Sequence, residues 1–121
     1  MSDDAVGRPM RSEAAARVIE AATSLDGLPA SARAGEDPGP AYFARLVADL
    51  RTLFDELAGA TQIDRELASA LHAVAHRGAL GYVDAVAYGR TLRPTLVDPD
   101  MLDVELAVES VLTGEWHTLE E

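Results

Sequence analysis

Phe43, Leu46, Val47, Leu50, Leu53, Phe54 and Leu57 recur at intervals of three and four residues, and only an α-helix puts them all on one side. A helix with one apolar stripe has to bury it against other apolar faces, so this segment commits the chain to helix packing. Arg45–Asp49 and Arg51–Asp55 are placed to pair along the opposite side, Pro40 suits the start and Gly59 suits the stop.

The flanking segments repeat the pattern. Ser12 is a good N-cap with Glu13 behind it, and Ala15, Val18, Ile19, Ala22 and Leu25 follow at helical spacing until Gly27 and Pro29. Glu13 and Arg17 stand at i,i+4. Thr61 to Asp64 resembles a capping box with Asp in place of Glu, and Ile63, Leu67, Ala70, Leu71 and Val74 continue to an expected end at Gly78. Residues 79–93 suit a short helix weakened by Gly81 and Gly89. Asp98-Pro99 signals a last helix that runs to about Thr113 and stops at Gly114. No strand alternation or hairpin signal occurs. The expected fold is all-α: a compact bundle of four to five helices in a single domain over 12–121, a flexible arm over 1–11, and a loop over 28–40, where three prolines and two glycines argue against regular structure.

Charge is distributed unevenly. The net charge is -11, yet residues 1–97 hold 13 acidic and ten basic side chains, and residues 98–121 hold eight carboxylates with no Arg or Lys. Such a chain repels phosphate backbones and anionic membrane surfaces, so neither nucleic acid nor a membrane is the expected partner. A basic protein surface would be steered toward it. The residues absent from the chain exclude more. Without Cys there are no disulfides, thiolate metal sites or cysteine nucleophiles. All ten basic residues are Arg, which removes Schiff-base lysines and the P-loop lysine. Nothing forms a nucleophile elbow, so no catalytic residue, cofactor or metal site is assigned. The N-terminus has no secretory character and no apolar run spans a bilayer, which makes the cytoplasm the default location.

The acidic stretch also carries Met101, Leu102, Val104, Leu106, Val108, Val111, Leu112 and Trp116, enough apolar surface to fold. In projection Glu105 and Glu109 fall inside the apolar arc, between Met101–Leu112 and Leu102–Leu106. They either pair internally with Arg77, Arg90 or Arg93, or meet arginines of a partner; as half of a carboxylate-bridged metal site they would need a Glu-x-x-His pair that the chain lacks. Trp116 is either an interface anchor or a lid on the bundle. The reading is a non-enzymatic interaction domain, an adaptor, inhibitor or immunity- or antitoxin-like regulator. It would dock a basic protein, or a second copy of itself, through Glu105, Glu109, Leu102, Leu106 and Trp116.

His72 and His76 stand at i,i+4, the spacing that lets two imidazoles share a metal, though no carboxylate on that helix joins them. The string His76-Arg77-Gly78 resembles histidine phosphotransfer domains, helical bundles whose reactive His is followed at fixed spacing by a basic and a small residue. Here the basic residue is adjacent instead of about one turn away, and His72 has Ala75 at that place. The resemblance implies a phosphorelay or metal-binding role for His72 and His76 as the alternative. A structural subunit of a larger complex is the third reading.

Overall fold

A computed structural model describes residues 11–117. Its helices are α1 (Glu13–Thr23), α2 (Leu28–Ala34), α3 (Pro40–Glu56), α4 (Arg65–His72), α5 (Gly78–Ala87) and α6 (Leu102–Thr113). A wide helical turn over Ala73–Arg77 carries α4 into α5 without a break, and a second, Leu96–Met101, leads into α6. The architecture is thus four longer rods (α1, α3, α4–α5, α6) and the short α2, with no strand among the described residues. None of these helices is long and apolar enough to cross a membrane.

The strongest stripe behaves as its spacing demands. Phe43, Leu46, Leu50 and Leu53 of α3 are buried, and they meet α6 and α1. Around them Val18, Leu28, Leu71, Val74, Tyr82, Leu96, Met101 and Val104 are sealed from solvent, giving one continuous core. Burial of such side chains is the main driving term of the fold. Ser12 caps α1, its hydroxyl accepting from the Ala15 amide at 3.1 Å.

Six local expectations need correction. Residues 28–34 form α2 instead of loop: Pro29 falls in the first turn, where its missing N–H costs nothing, and Gly35 ends the helix in the left-handed conformation. The α4 cap is Asp64 itself, accepting from the Leu67 amide at 3.0 Å, not Thr61. Asp49 pairs across helices with Arg17, at 2.8 Å, and not with Arg45 along its own. Gly78 is no stop, because the chain continues helically through it. Of the expected arm, Arg11 is engaged with Asp64 and Glu66 at 3.3 and 2.6 Å; residues 1–10 lie outside the described range. Near the Asp98-Pro99 signal the chain kinks, since Asp98 has extended backbone (φ -139°, ψ 112°) and the Asp98–Pro99 bond is cis, and the α-helix itself begins at Leu102.

Gly78 and Gly81 are explained by what lies over α5. A Cβ at Gly81 would sit 2.7 Å from Ala32 Cβ and 2.9 Å from the Ala32 carbonyl carbon; at Gly78 it would meet Met101 Cε at 3.2 Å. The two glycines weaken the helix by about 1 kcal/mol each but let α2 and Met101 lie directly on α5. Below this seam, the Tyr82 hydroxyl donates to the Glu36 carbonyl at 2.8 Å, and Arg93 binds Asp37 at 2.8 Å and Asp100 at 2.6 Å. The side chains of this trio are only 24 %, 27 % and 20 % exposed, and the Arg93 hydrogen bond holds the Asp37 carboxyl below its usual range against the opposing pull of burial.

Gly81→Ala is expected to destabilise the chain by about 1–3 kcal/mol in urea unfolding, since backbone has to move to admit the methyl group. Tyr82→Phe, which removes only the bond to Glu36, should cost about 1 kcal/mol in the same measurement.

Candidate functional site

Helix α6 divides cleanly. Val104, Ala107, Val108, Ser110 and Val111 face the core, while Leu102, Glu105, Leu106, Glu109 and Leu112 make the opposite side. Of this outward set Leu102, Glu105 and Leu106 are half-buried, and Glu109 and Leu112 are exposed. The result is a ridge of three leucines with two carboxylates between them.

No basic side chain among the described residues forms an ion pair with Glu105 or Glu109. The three arginines expected to compete are elsewhere. Arg93 is held by Asp37 and Asp100. Arg90 lies across Gly35, its Nε 3.2 Å from where a Cβ would stand, and Arg77 sits in the wide turn. Burial lifts the Glu105 carboxyl above its usual range with no cation to offset it. Asp103 is lifted as well, first by burial and then by Asp100 and Asp98.

Trp116 is placed by the fold. Its ring stands edge-on to Phe54 with centroids 5.3 Å apart, and the Arg51 guanidinium lies 4.6 Å from its centroid. The His117 amide donates to Ser110 Oγ at 2.7 Å, tying the segment back to α6. Half-buried in this way, Trp116 closes the end of the bundle beside α3.

A second surface was not visible in the sequence. The C-terminal end of α1, α2 and α5 enclose a groove of about 760 Å³. Arg33, Arg77 and Arg90 line it, with Asp84 as its one acid. Its apolar walls include Leu25, Leu80 and Tyr88, which are 98 %, 51 % and 89 % exposed. The local signal was there in part: residues 77–97 hold three arginines against Asp84 alone.

His72 and His76 are both exposed, with ring centroids 5.1 Å apart and near-parallel planes. Among the described residues no group of three His, Cys, Asp or Glu side chains is placed to hold a metal ion. No protein-family model matches the chain, and no curated protein or solved structure shows significant similarity to it.

Because its folded pKa is raised, Glu105 favours folding when protonated, and that contribution is lost as pH rises through the folded value. Glu105→Gln should therefore make the free chain more stable than wild type at pH 7, with the gain vanishing below about pH 4, near the unperturbed glutamate value. Urea titrations at the two pH values measure this. A variant less stable than wild type at pH 7 would show that Glu105 has a partner within the chain.

Proposed function

We propose that this chain is a non-enzymatic protein–protein interaction domain that docks through the outward face of α6 onto a partner with a basic, partly apolar surface. The observation that carries the reading is the pair Glu105 and Glu109, set between Leu102, Leu106 and Leu112 with no cation of their own among the described residues. In the free chain such a ridge is costly, since a half-buried carboxylate is poorly solvated and uncompensated. A partner arginine placed between the leucines offsets that cost and adds a charge-assisted hydrogen bond. The leucines supply the apolar contact that any stable interface requires. Trp116 supports the surface from behind, by fixing the chain that follows α6 against Phe54 and Arg51.

Reversing both charges tests this. The full-length wild type and Glu105→Arg/Glu109→Arg are each immobilised and exposed to the proteins of the source cell. The expected outcome is a basic protein whose recovery falls at least about tenfold with the variant, because like charges across an interface cost several kcal/mol. The variant's circular dichroism should match the wild type, since both side chains point outward. Equal recovery by the two baits removes the reading. His72→Ala/His76→Ala should recover the partner unchanged; loss with that variant instead would move the function to the histidine pair.

A further inference from the structure

The exposed apolar surface of this protein is concentrated. Leu25, Leu80, Val83, Val86 and Tyr88 belong to α5, the residue just after it and the turn between α1 and α2, and they account for five of the seven large apolar side chains left exposed among the described residues. Three of the five line the groove between α1, α2 and α5. The same groove gathers Arg33, Arg77 and Arg90 against the single carboxylate of Asp84, a local excess of positive charge on a chain whose net charge is -11. None of these three arginines makes an ion pair among the described residues, whereas Arg11, Arg17, Arg51 and Arg93 all do.

The ridge on α6 is the chemical counterpart of that groove. It offers two carboxylates without cations and three leucines, where the groove offers three unpaired arginines against one carboxylate and an apolar wall. The lengths also agree. At about 1.5 Å per residue, Leu102 to Leu112 rises roughly 15 Å, and the ten residues of α5 extend about the same distance.

The geometry points to a second copy of this chain as the occupant of the groove: the outward face of α6 of one copy seats between α1, α2 and α5 of the next. The inference rests on the reading of α6 as the docking helix and gives that helix a partner. Glu105 and Glu109 meet Arg77 and Arg90, with Arg33 on the far wall, and Leu102, Leu106 and Leu112 cover Leu80 and Tyr88. Because groove and ridge are different surfaces, the contact is heterologous, so copies add head to tail and close into a ring or continue as a chain. Net negative charge keeps copies apart at long range. At physiological ionic strength that repulsion is screened beyond about 8 Å, while pairs at contact persist.

Sedimentation of the full-length protein in physiological salt tests this, using two charge-reversed variants. Wild type should grow past the dimer with rising concentration. Glu105→Arg/Glu109→Arg keeps the groove and loses the ridge; Arg77→Glu/Arg90→Glu keeps the ridge and loses the groove. Each alone should be monomeric, and their equimolar mixture should associate again, since the native groove of one meets the native ridge of the other and the two reversed surfaces also carry opposite charges. Leu80→Arg, a change at an exposed position, should weaken association at least about tenfold and guards against misfolding of the double variant. A wild type still monomeric at about 1 mM overturns the inference, since even a millimolar affinity would show there. So does a groove variant that associates as wild type does, which would leave α6 pairing with itself or with another face. If wild type is monomeric but the α6 variant still loses the captured partner, the docking function stands and only the self-assembly falls. If the α6 variant keeps both association and partner, both readings fall.

Discussion

The rest of the structure depends on how closely α2 can approach α5. Where a side chain would stand at Gly81 there is room only for hydrogen, because Ala32 backbone and methyl occupy that place. The seam brings Leu28 and Met101 over Gly78, buries Tyr82 completely and directs its hydroxyl to the Glu36 carbonyl. With Glu36 fixed, Asp37 reaches Arg93, and Arg93 in turn reaches Asp100 at the entry to α6. One steric condition at a glycine is thereby transmitted, through a hydrogen bond and an ion-pair triad, to the position of the C-terminal helix. It also creates the groove, since α2 lying flat on α5 leaves the turn between α1 and α2 standing as its opposite wall.

Periodic information was legible from residues alone. The stripe of α3, the Ser12 cap of α1, the stop of α6 at Gly114 and the division of α6 into two faces all follow from local spacing. Two of the failures share a cause, which is that a glycine or proline reads the same whether it breaks a helix or punctuates one. Pro29 and Gly35 bracket a real helix because Leu28 and Ala32 are buried against residues 78–81, a contact between segments some fifty positions apart. Gly78 reads as a terminator and is instead a packing site, for the same nonlocal reason. The partner of Arg93 was equally hidden: Asp37 lies in the segment taken for a loop, and only the fold brings the two within 2.8 Å.

The candidate site shows the same limit from the other side. That Glu105 and Glu109 fall in an apolar arc is a matter of helical angle and was visible. Whether an arginine of the chain reaches them is a matter of tertiary placement and was not. Beyond the local excess of arginine over 77–97 the groove was hidden, because Arg33, Arg77 and Arg90 come from α2, the wide turn and the segment after α5. Their collection around one groove is a property of packing alone.

The arginines divide by what they do for the fold. Arg11, Arg17, Arg51 and Arg93 are used within it: two bind carboxylates of other elements through short contacts, one joins helices α1 and α3, and one lies over Trp116. None of these four reaches Glu105 or Glu109, the unpaired Arg33, Arg77 and Arg90 line the groove instead, and burial of Glu105 raises its pKa. Natural chains tolerate such local costs chiefly where an activity requires them. A half-buried carboxylate that destabilises the free chain, on a helix whose other side is well packed, is therefore an argument for binding of a kind that exposure or net charge cannot supply. The eight carboxylates of the C-terminal stretch would keep a chain soluble wherever they stood. Glu105, half-buried on the outward side of α6, is the one whose placement solubility does not explain.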